Sequence, residues 1–370
     1  MSIKKYKKVF VGLSGGVDSS VSALLLKRSG YDVTGVFIRV WQPDFFECTW
    51  KDDRLDAMRV AAKLGIPFME LDLEKEYKKQ VVDYMVREYK AGKTPNPDVM
   101  CNRFIKFGGF YDYARKNGAD FVATGHYARI KAPKRASLLG EKGRFFGVNG
   151  QRSMVNGFGL FAGSDPQKDQ SYFLWQIRKE QLPHILFPVG DMKKTEVRSI
   201  AKKAGLITAD KKDSQGLCFV GKVDMKDFLS HYIREREGTF VDEKGTVLGE
   251  HKGAFFYTIG ERAPISAGKA LYVTGKDIRT NTVTVSGQPK GSALFGSRTR
   301  IHIAGSNWLA KPVSGKSYSA STRYRQPLQS CKFEVKSSKV IFERPQAVAS
   351  GQSLVLYDGE RCIGGGVIAD

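Results

Sequence analysis

The chain of 370 residues carries 60 Lys and Arg against 38 Asp and Glu, a formal net charge of +22, with 41% hydrophobic and 11% aromatic residues. That apolar content supports several packed cores and excludes wholesale disorder, and the length corresponds to two or three domains of about 150 residues each. There is no 18-residue apolar run and no C-x-x-C among the five scattered cysteines, which excludes a membrane-spanning helix, a zinc ribbon and a secreted disulfide framework. The basic N-terminus runs straight into a strand-like segment without the apolar core of a signal peptide, so a cytoplasmic protein is expected. A positive field of this size favours a polyanionic partner, with nucleic acid the first choice.

Residues 1–130 alternate strand and helix signals. KKVFVGL reads as a strand, SGGVDSS as a turn and SSVSALLLKRSG as a helix ended by Gly30, followed by the strand DVTGVFIRVW. RLDAMRVAAKLG is a helix and PFMELDL a strand; EKEYKKQVVDYMVREYKAG and FIKFGGFYDYARKNG are helices, and ADFVATGHYARI is one strand. Alternation at this spacing predicts a parallel sheet with helices on both faces. Between 131 and 160, six Lys or Arg face a single Glu amid many glycines, which reads as an exposed hairpin or a mobile basic loop. Helical periodicity returns in KDQSYFLWQIRKEQL, KKTEVRSIAKKAG and MKDFLSHYIRER. Beyond residue 239 only short β-rich runs remain, punctuated by Gly, Ser and Pro, which predicts a small β module followed by a larger barrel-like one. The resulting division is an α/β domain over 1–213, a small central β-rich domain over 214–279 and a C-terminal β-barrel-like domain over 280–370.

Three segments carry chemistry. The first, Gly12-Leu13-Ser14-Gly15-Gly16-Val17-Asp18-Ser19-Ser20, joins the first strand to the first helix. Its glycines permit a sharp turn whose N–H groups, with the helix N-terminus behind them, can face an anion, and Ser14, Ser19 and Ser20 can donate to phosphate oxygens. Asp18 would repel phosphate, so its role is Mg²⁺ binding or orientation of the loop. The spelling is neither G-x-G-x-x-G nor G-x-x-x-x-G-K-[ST]. It matches the S-G-G-x-D-S loop of PP-loop ATP pyrophosphatases, which this chain resembles at its N-terminus. The second segment, Thr94-Pro95-Asn96-Pro97-Asp98-Val99-Met100-Cys101-Asn102-Arg103, is a stiff proline loop opening a helix. Asp98 or Asn102 is expected to cap that helix, and Cys101 to lie in its first turn, where the helix dipole and Arg103 favour thiolate. The third, Lys211-Lys212-Asp213-Ser214-Gln215-Gly216-Leu217-Cys218-Phe219, sets a cysteine beside lysines. Either cysteine alone would usually be packing; as a pair they could complete a redox or sulfur-transfer cycle.

SGGVDSS, TPNPDVMCNRFIKF, ATGHYAR, KDQSYFL, KKDSQGLCF, YTIGER, STRYRQ and CIGGG occur in the order seen in tRNA-specific 2-thiouridylases, a family the chain resembles from about residue 8 to residue 368. The resemblance implies ATP against Gly12, Leu13, Ser14, Gly15, Gly16, Val17, Asp18 and Ser19, with the adenine near Ile38 and Gly125. It implies Mg²⁺ as a companion of ATP, with no metal ion held by a protein ligand set. The wobble uridine of a tRNA anticodon arm would meet Asn96, Pro97 and Asp98, and its O2 would be adenylated. Cys218 matches the persulfide carrier, Cys101 the partner nucleophile left disulfide-linked to it, and Asp98 the acid–base residue. Lys168, Asp169 and Gln170, Arg323 and Tyr324, His126 and Gln352 match tRNA contacts. A persulfide donor protein, a monomer, and tRNA binding that weakens steeply with salt are implied as well. The chain departs from the family at Glu261-Arg262-Ala263-Pro264-Ile265, where a basic position is lost, in a longer basic insertion around 131–165, and at Ile38, where Met is common. Two other readings stay open: a PP-loop amidotransferase or synthetase of a small metabolite, and a non-enzymatic RNA-binding protein, with an iron–sulfur variant in which Cys48 lies near Cys101.

Overall fold

The computed structural model describes residues 6–45, 50–132, 157–213, 224–265, 268–287 and 297–369. Cys48, the core of the basic 131–165 stretch and the segment from Ser214 through Cys218 to Phe219 lie outside the described residues.

The N-terminal sheet is built from β1 (Lys8–Gly12), β2 (Asp32–Arg39), β3 (Phe68–Asp72) and β4 (Phe121–Ala123). These short β-branched and aromatic runs all pair in parallel. Two-residue alternation sends Val9, Val11, Val33 and Phe37 into one core and Phe10, Val36 and Ile38 into another. The first core is completed by α1 (Val17–Arg28), α2 (Trp50–Leu64) and the Lys194–Lys203 helix. The second is covered by two long helices. One runs from Glu74–Tyr77 through a π-helical Lys78–Val82 to Asp83–Lys90, and the other from Pro97–Met100 through a π-helical Cys101–Gly109 to Phe110–Lys116. The parallel sheet with helices on both faces is therefore as expected.

ATGHYARI is not one strand. It breaks at Thr124–Tyr127, and β5 (Ala128–Lys131) leaves the parallel sheet to pair antiparallel with β6 (Gly159–Ala162). The two ends of the 131–165 stretch thus form a hairpin. KDQSYFLWQIRKEQL is not a long helix either: it contains the 3₁₀ turns Ser171–Leu174 and Lys179–His184. Tertiary demand overrides the periodicity there, because Tyr172, Leu174, Trp175 and Ile177 are all buried and no solvent-facing stripe is left. β7 (Ile185–Leu186) closes the parallel sheet, whose order is β3-β2-β1-β4-β7.

A short helix, Met225–Ser230, leads into the central sheet of β8 (Gly238–Val241), β9 (Val247–His251), β10 (Tyr272–Asp277) and β11 (Thr282–Ser286), ordered β10-β11-β8-β9. The last six strands are β12 (Ser297–Trp308), β13 (Ser317–Ser321), β14 (Gln329–Glu334), β15 (Lys339–Ala347), β16 (Ser353–Asp358) and β17 (Arg361–Ile368). They run antiparallel and close into a barrel through β12–β17 pairing. Its interior is filled by Ile301, Ile303, Phe333, Val340, Phe342, Leu354 and Leu356, and β6 adds the β5–β6 hairpin to β17. A second apolar core runs unbroken from Phe10 and Phe110 through Trp175 to Phe240 and Val355, binding all three parts together.

Candidate active site

β1 sits at the middle of its sheet, with β2 and β4 on opposite sides. The strand order reverses there while all strands stay parallel, and the crevice at the carboxyl ends of such neighbouring strands is where α/β sheets hold ligands. The 12–19 loop leaves β1 at that crevice, and Gly125 follows β4 into it. Gly15 has φ +71, and a Cβ on it would lie 2.2 Å from Asp53 O; a Cβ on Gly125 would lie 2.7 Å from Asp18 C and Ser19 N. Both glycines are required by close backbone approach. A Cβ on Gly12 would reach Ile38 at 3.9 Å and Phe110 at 3.5 Å, so Ile38 borders the loop. Leu13 is buried and donates its N–H to Val36 O (2.8 Å), pinning the start of the turn.

Inside the loop the hydroxyls support one another. Ser14 N–H donates to Ser19 Oγ (3.2 Å), the two hydroxyl oxygens are 3.2 Å apart, and Ser19 donates to Gly16 O (3.1 Å). Gly16 gives α1 no side-chain cap, which leaves the first amides, at Val17 and its neighbours, for an incoming anion. Ser20 departs from expectation: it is buried and its hydroxyl is turned back to Gly16 O at 2.8 Å, so it serves the helix rather than a ligand.

Asp18 accepts from Tyr127 Oη (2.7 Å) and from Lys194 Nζ at both carboxylate oxygens (2.8 and 2.8 Å). Burial, next to the Asp18 charge, pushes the Tyr127 phenol far above its ordinary pKa and keeps it a donor. Lys194 also meets Asp213 (2.9 Å), which takes Lys168 (2.6 Å) and Arg198 (2.7 Å) as well. Burial alone would raise the Asp213 pKa, but Lys168 and Lys194 hold it down to about 2. The motif that leads to Cys218 is therefore tied to the 12–19 loop through Lys194. Lys211 adds a second tie, to Asp53 and Asp56 of α2 (2.7 Å each).

The 94–101 loop is placed differently. Asn96 caps the Pro97 helix, its Oδ1 accepting from Val99 N–H (3.4 Å), in place of the Asp98 or Asn102 cap expected from sequence. With Pro97 as the first helical residue, Cys101 falls beyond the first turn and its N–H already donates to Pro97 O. Cys101 is fully buried, whereas Arg103, two residues on, points to solvent, donates to Gln176 Oε1 (3.2 Å) and lies over Phe104. Cys101 and Gly12 are joined by one helix: Phe110, which flanks Gly12, follows directly on the π-helical stretch that Cys101 opens.

Of the remaining matched positions, Gln352 meets this loop directly. Gln352 Nε2 donates to Thr94 O (3.0 Å) and Pro95 O (3.4 Å), and Thr94 N–H donates to Ser350 O (2.7 Å). The hydroxyls of Thr94 and Thr258 are 3.2 Å apart. Arg323, largely buried, donates to Ile259 O of the central part, and burial lowers its pKa. Tyr324 packs on Phe173 with ring centroids 4.4 Å apart. Gln170 exchanges hydrogen bonds with the Tyr127 backbone (3.0 and 2.9 Å). Asp169 is half-buried and accepts from Gly163 N–H, Ser171 N–H and Ser171 Oγ. His126 is 7% exposed, bonded to Thr124 Oγ1 (2.6 Å) and packed by Phe107 and Phe187; burial, reinforced by Lys106, holds it neutral. Sequence reasoning missed Tyr127, Lys194, Arg198 and Thr94 as site residues. All lie inside or beside motifs read from sequence, but Tyr127, Lys194 and Thr94 meet partners 109 to 258 positions away, beyond any local pattern.

A glycine–serine loop at the switch point of a parallel sheet, with a second cysteine-bearing loop on a helix that reaches it, defines an α/β domain of the PP-loop nucleotide-binding class. Residues 7–222 match the family model described as the tRNA methyl transferase HUP domain, 226–287 its PRC-barrel domain, and 298–368 the aminomethyltransferase beta-barrel domain. The chain is 42% identical to tRNA-specific 2-thiouridylase MnmA 2 of Geobacillus kaustophilus, over 98% of this chain and 94% of that protein. It is 43% identical to tRNA-specific 2-thiouridylase MnmA of Streptococcus pyogenes serotype M1, over 98% and 95%. Among solved structures, the U34-tRNA thiolase NcsA of Methanococcus maripaludis is 18% identical with a TM-score of 0.34, covering 62% of this chain and 64% of that one. The chain belongs to the tRNA-specific 2-thiouridylase family.

Proposed function

We propose that the protein converts the wobble uridine of tRNA to 2-thiouridine, using ATP at the 12–19 loop and sulfur carried by Cys218. The observation that carries this reading is the convergence of all three parts of the chain on the 94–101 loop: Thr258 from the central part, and Ser350 and Gln352 from the barrel part. A small-metabolite synthetase has no use for such a junction, whereas a folded RNA arm needs a surface wider than one domain.

The loop fits a nucleotide: Gly15 and Gly125 let its backbone pack tightly into the turn, the α1 N-terminus behind it has no side-chain cap, and Ser14 is exposed at its rim. Adenine would lie toward Ile38 and Gly125. Mg²⁺ would arrive with the phosphates and meet Asp18, whose oxygens are otherwise held by Lys194. Asn96, Pro97 and Asp98 would hold the base, with Asp98 moving its proton. Uridine O2 attacks the α-phosphorus of ATP, and pyrophosphate leaves. The terminal sulfur of a Cys218 persulfide then attacks C2 and AMP leaves. The Cys101 thiolate attacks the inner sulfur, releasing 2-thiouridine and forming a Cys101–Cys218 disulfide, so the persulfide is reduced as the two thiols are oxidised. Lys168, Asp169, Gln170, Arg323, Tyr324, His126 and Gln352 form or brace the tRNA-facing wall. A persulfide carrier protein supplies the sulfur to a cytoplasmic monomer.

Mass spectrometry of tRNA from cells lacking the gene tests the proposal. Wobble 2-thiouridine should disappear, and the purified protein should release AMP and pyrophosphate only with tRNA present. Unchanged 2-thiouridine overturns it.

A further inference from the structure

A nucleotide triphosphate brings several negative charges to a loop that has no cation of its own: between Lys8 and Lys27 the chain has neither Lys nor Arg, and Asp18 adds a negative charge. Amides and hydroxyls alone give that charge weak compensation. A cation reaches the loop from 176 positions away. Lys194 opens the Lys194–Lys203 helix that packs on α1, its side chain is only 12% exposed, and its amine touches both Asp18 oxygens. Its backbone is fixed by donation to Asp165 Oδ2 (3.0 Å), so only the four-carbon stem is left to move.

We propose that Lys194 is the phosphate-binding cation of the ATP site, transferring its amine from Asp18 to the polyphosphate when the nucleotide binds. The proposal rests on the reading of the 12–19 loop as an ATP site. The surroundings of Lys194 suit the exchange. Asp213 is held by Lys168 and Arg198 in addition to Lys194, so it keeps two cations when the Lys194 amine turns away. Asp18 keeps the Tyr127 hydroxyl and gains free oxygens facing the nucleotide's own metal ion. Neither carboxylate is left bare, so the exchange avoids the cost of an isolated half-buried charge.

Calorimetric titration of the full chain, without tRNA, with ATP, inorganic pyrophosphate and adenosine separates the possibilities. Lys194→Met should weaken ATP and pyrophosphate roughly ten- to a hundredfold, the loss of one charge-assisted contact, while adenosine changes by no more than about twofold. Lys194→Arg should recover most of the affinity. Should Lys194→Met prove unstable, Asp18→Asn/Lys194→Met removes the abandoned carboxylate, and the same selective loss should appear relative to Asp18→Asn alone. Unchanged ATP affinity, or a parallel loss for adenosine, overturns the assignment and leaves Lys194 a structural ion pair. If the unaltered protein binds none of the three ligands, the ATP reading of the loop itself falls.

Discussion

The loop that ends β1 and the loop that opens the Pro97 helix both close on the site, yet they are held by different parts of the chain. The 12–19 loop is supported within its own α/β domain: Ser14, Gly16 and Ser19 bond one another, the backbone of Val36, Asp53 and Gly125 flanks the turn, and Tyr127 and Lys194 hold Asp18. The 94–101 loop has the Asn96 cap as a local support and is also tied to residues 164 to 258 positions further along, in the central and barrel parts. A nucleotide loop of the first kind belongs to one domain. A loop of the second kind is in register only when three domains are assembled, which suits a substrate that must touch all of them.

That contrast predicts a separation of binding from chemistry, and the largest effect should come from the second loop. Cys101→Ser should reduce thiolation by about a thousandfold or more while ATP affinity, measured by calorimetry, stays within about twofold. Equal loss of both would mean that the two loops are one unit. The next effect belongs to the first loop. Gly15→Ala forces a Cβ into Asp53 O and a left-handed residue into strain of roughly 1–2 kcal/mol before any clash. ATP affinity should fall by about a hundredfold, and adenylation with it. Normal ATP binding by this variant would remove the loop from the site.

Gln352→Ala sharpens the comparison from the other side. It leaves the carbonyls of Thr94 and Pro95 without their side-chain donor, a cost of about 1–2 kcal/mol. Thiolation kcat/KM should drop about tenfold with ATP affinity unchanged, since Gln352 touches only the second loop. A matching fall in ATP affinity would show that the barrel governs both.

The two loops also differ in how much of each is legible in the amino-acid sequence. SGGVDSS carries its own geometry, because glycine at φ +71 and a helix start follow from local residue types. The parallel sheet and the two β modules are legible for the same reason: period-two and period-3.6 patterns are local. The cysteine loop is legible as a motif but not as a structure. Capping by Asn96, Cys101 beyond the first turn and Arg103 on the exposed side all depend on where the helix begins, which Pro97 sets. The same holds for ATGHYARI, where the chain leaves one sheet for another, and for SYFLWQI, where Trp175 donates to Ser353 Oγ and Tyr172 to Ser353 O in the barrel. Lys194 is the strongest case. KKTEVRSIAKKAG reads as an amphipathic helix, and nothing within it announces that its second residue completes a loop 176 positions earlier.

The link between the loop and the third motif makes the smallest prediction, and it is one of pH. Asp213 titrates at about 2 in the folded protein, where Lys168 and Lys194 outweigh burial, against an ordinary aspartate value near about 4 when unfolded. A depressed folded pKa means that the unfolded chain binds the proton more readily, so the stability this carboxylate adds is complete above about pH 4 and is lost as pH falls toward 2. The side chain is 28% exposed, and screening reduces its contribution to the order of 1 kcal/mol. Urea midpoints for the unaltered protein and for Asp213→Asn should therefore differ by a constant amount from pH 7 down to about 4, and converge below it. A gap that persists unchanged to pH 2 would mean that the asparagine disturbs packing rather than charge, and that the third motif is not held to the ATP loop by the Lys194 bridge.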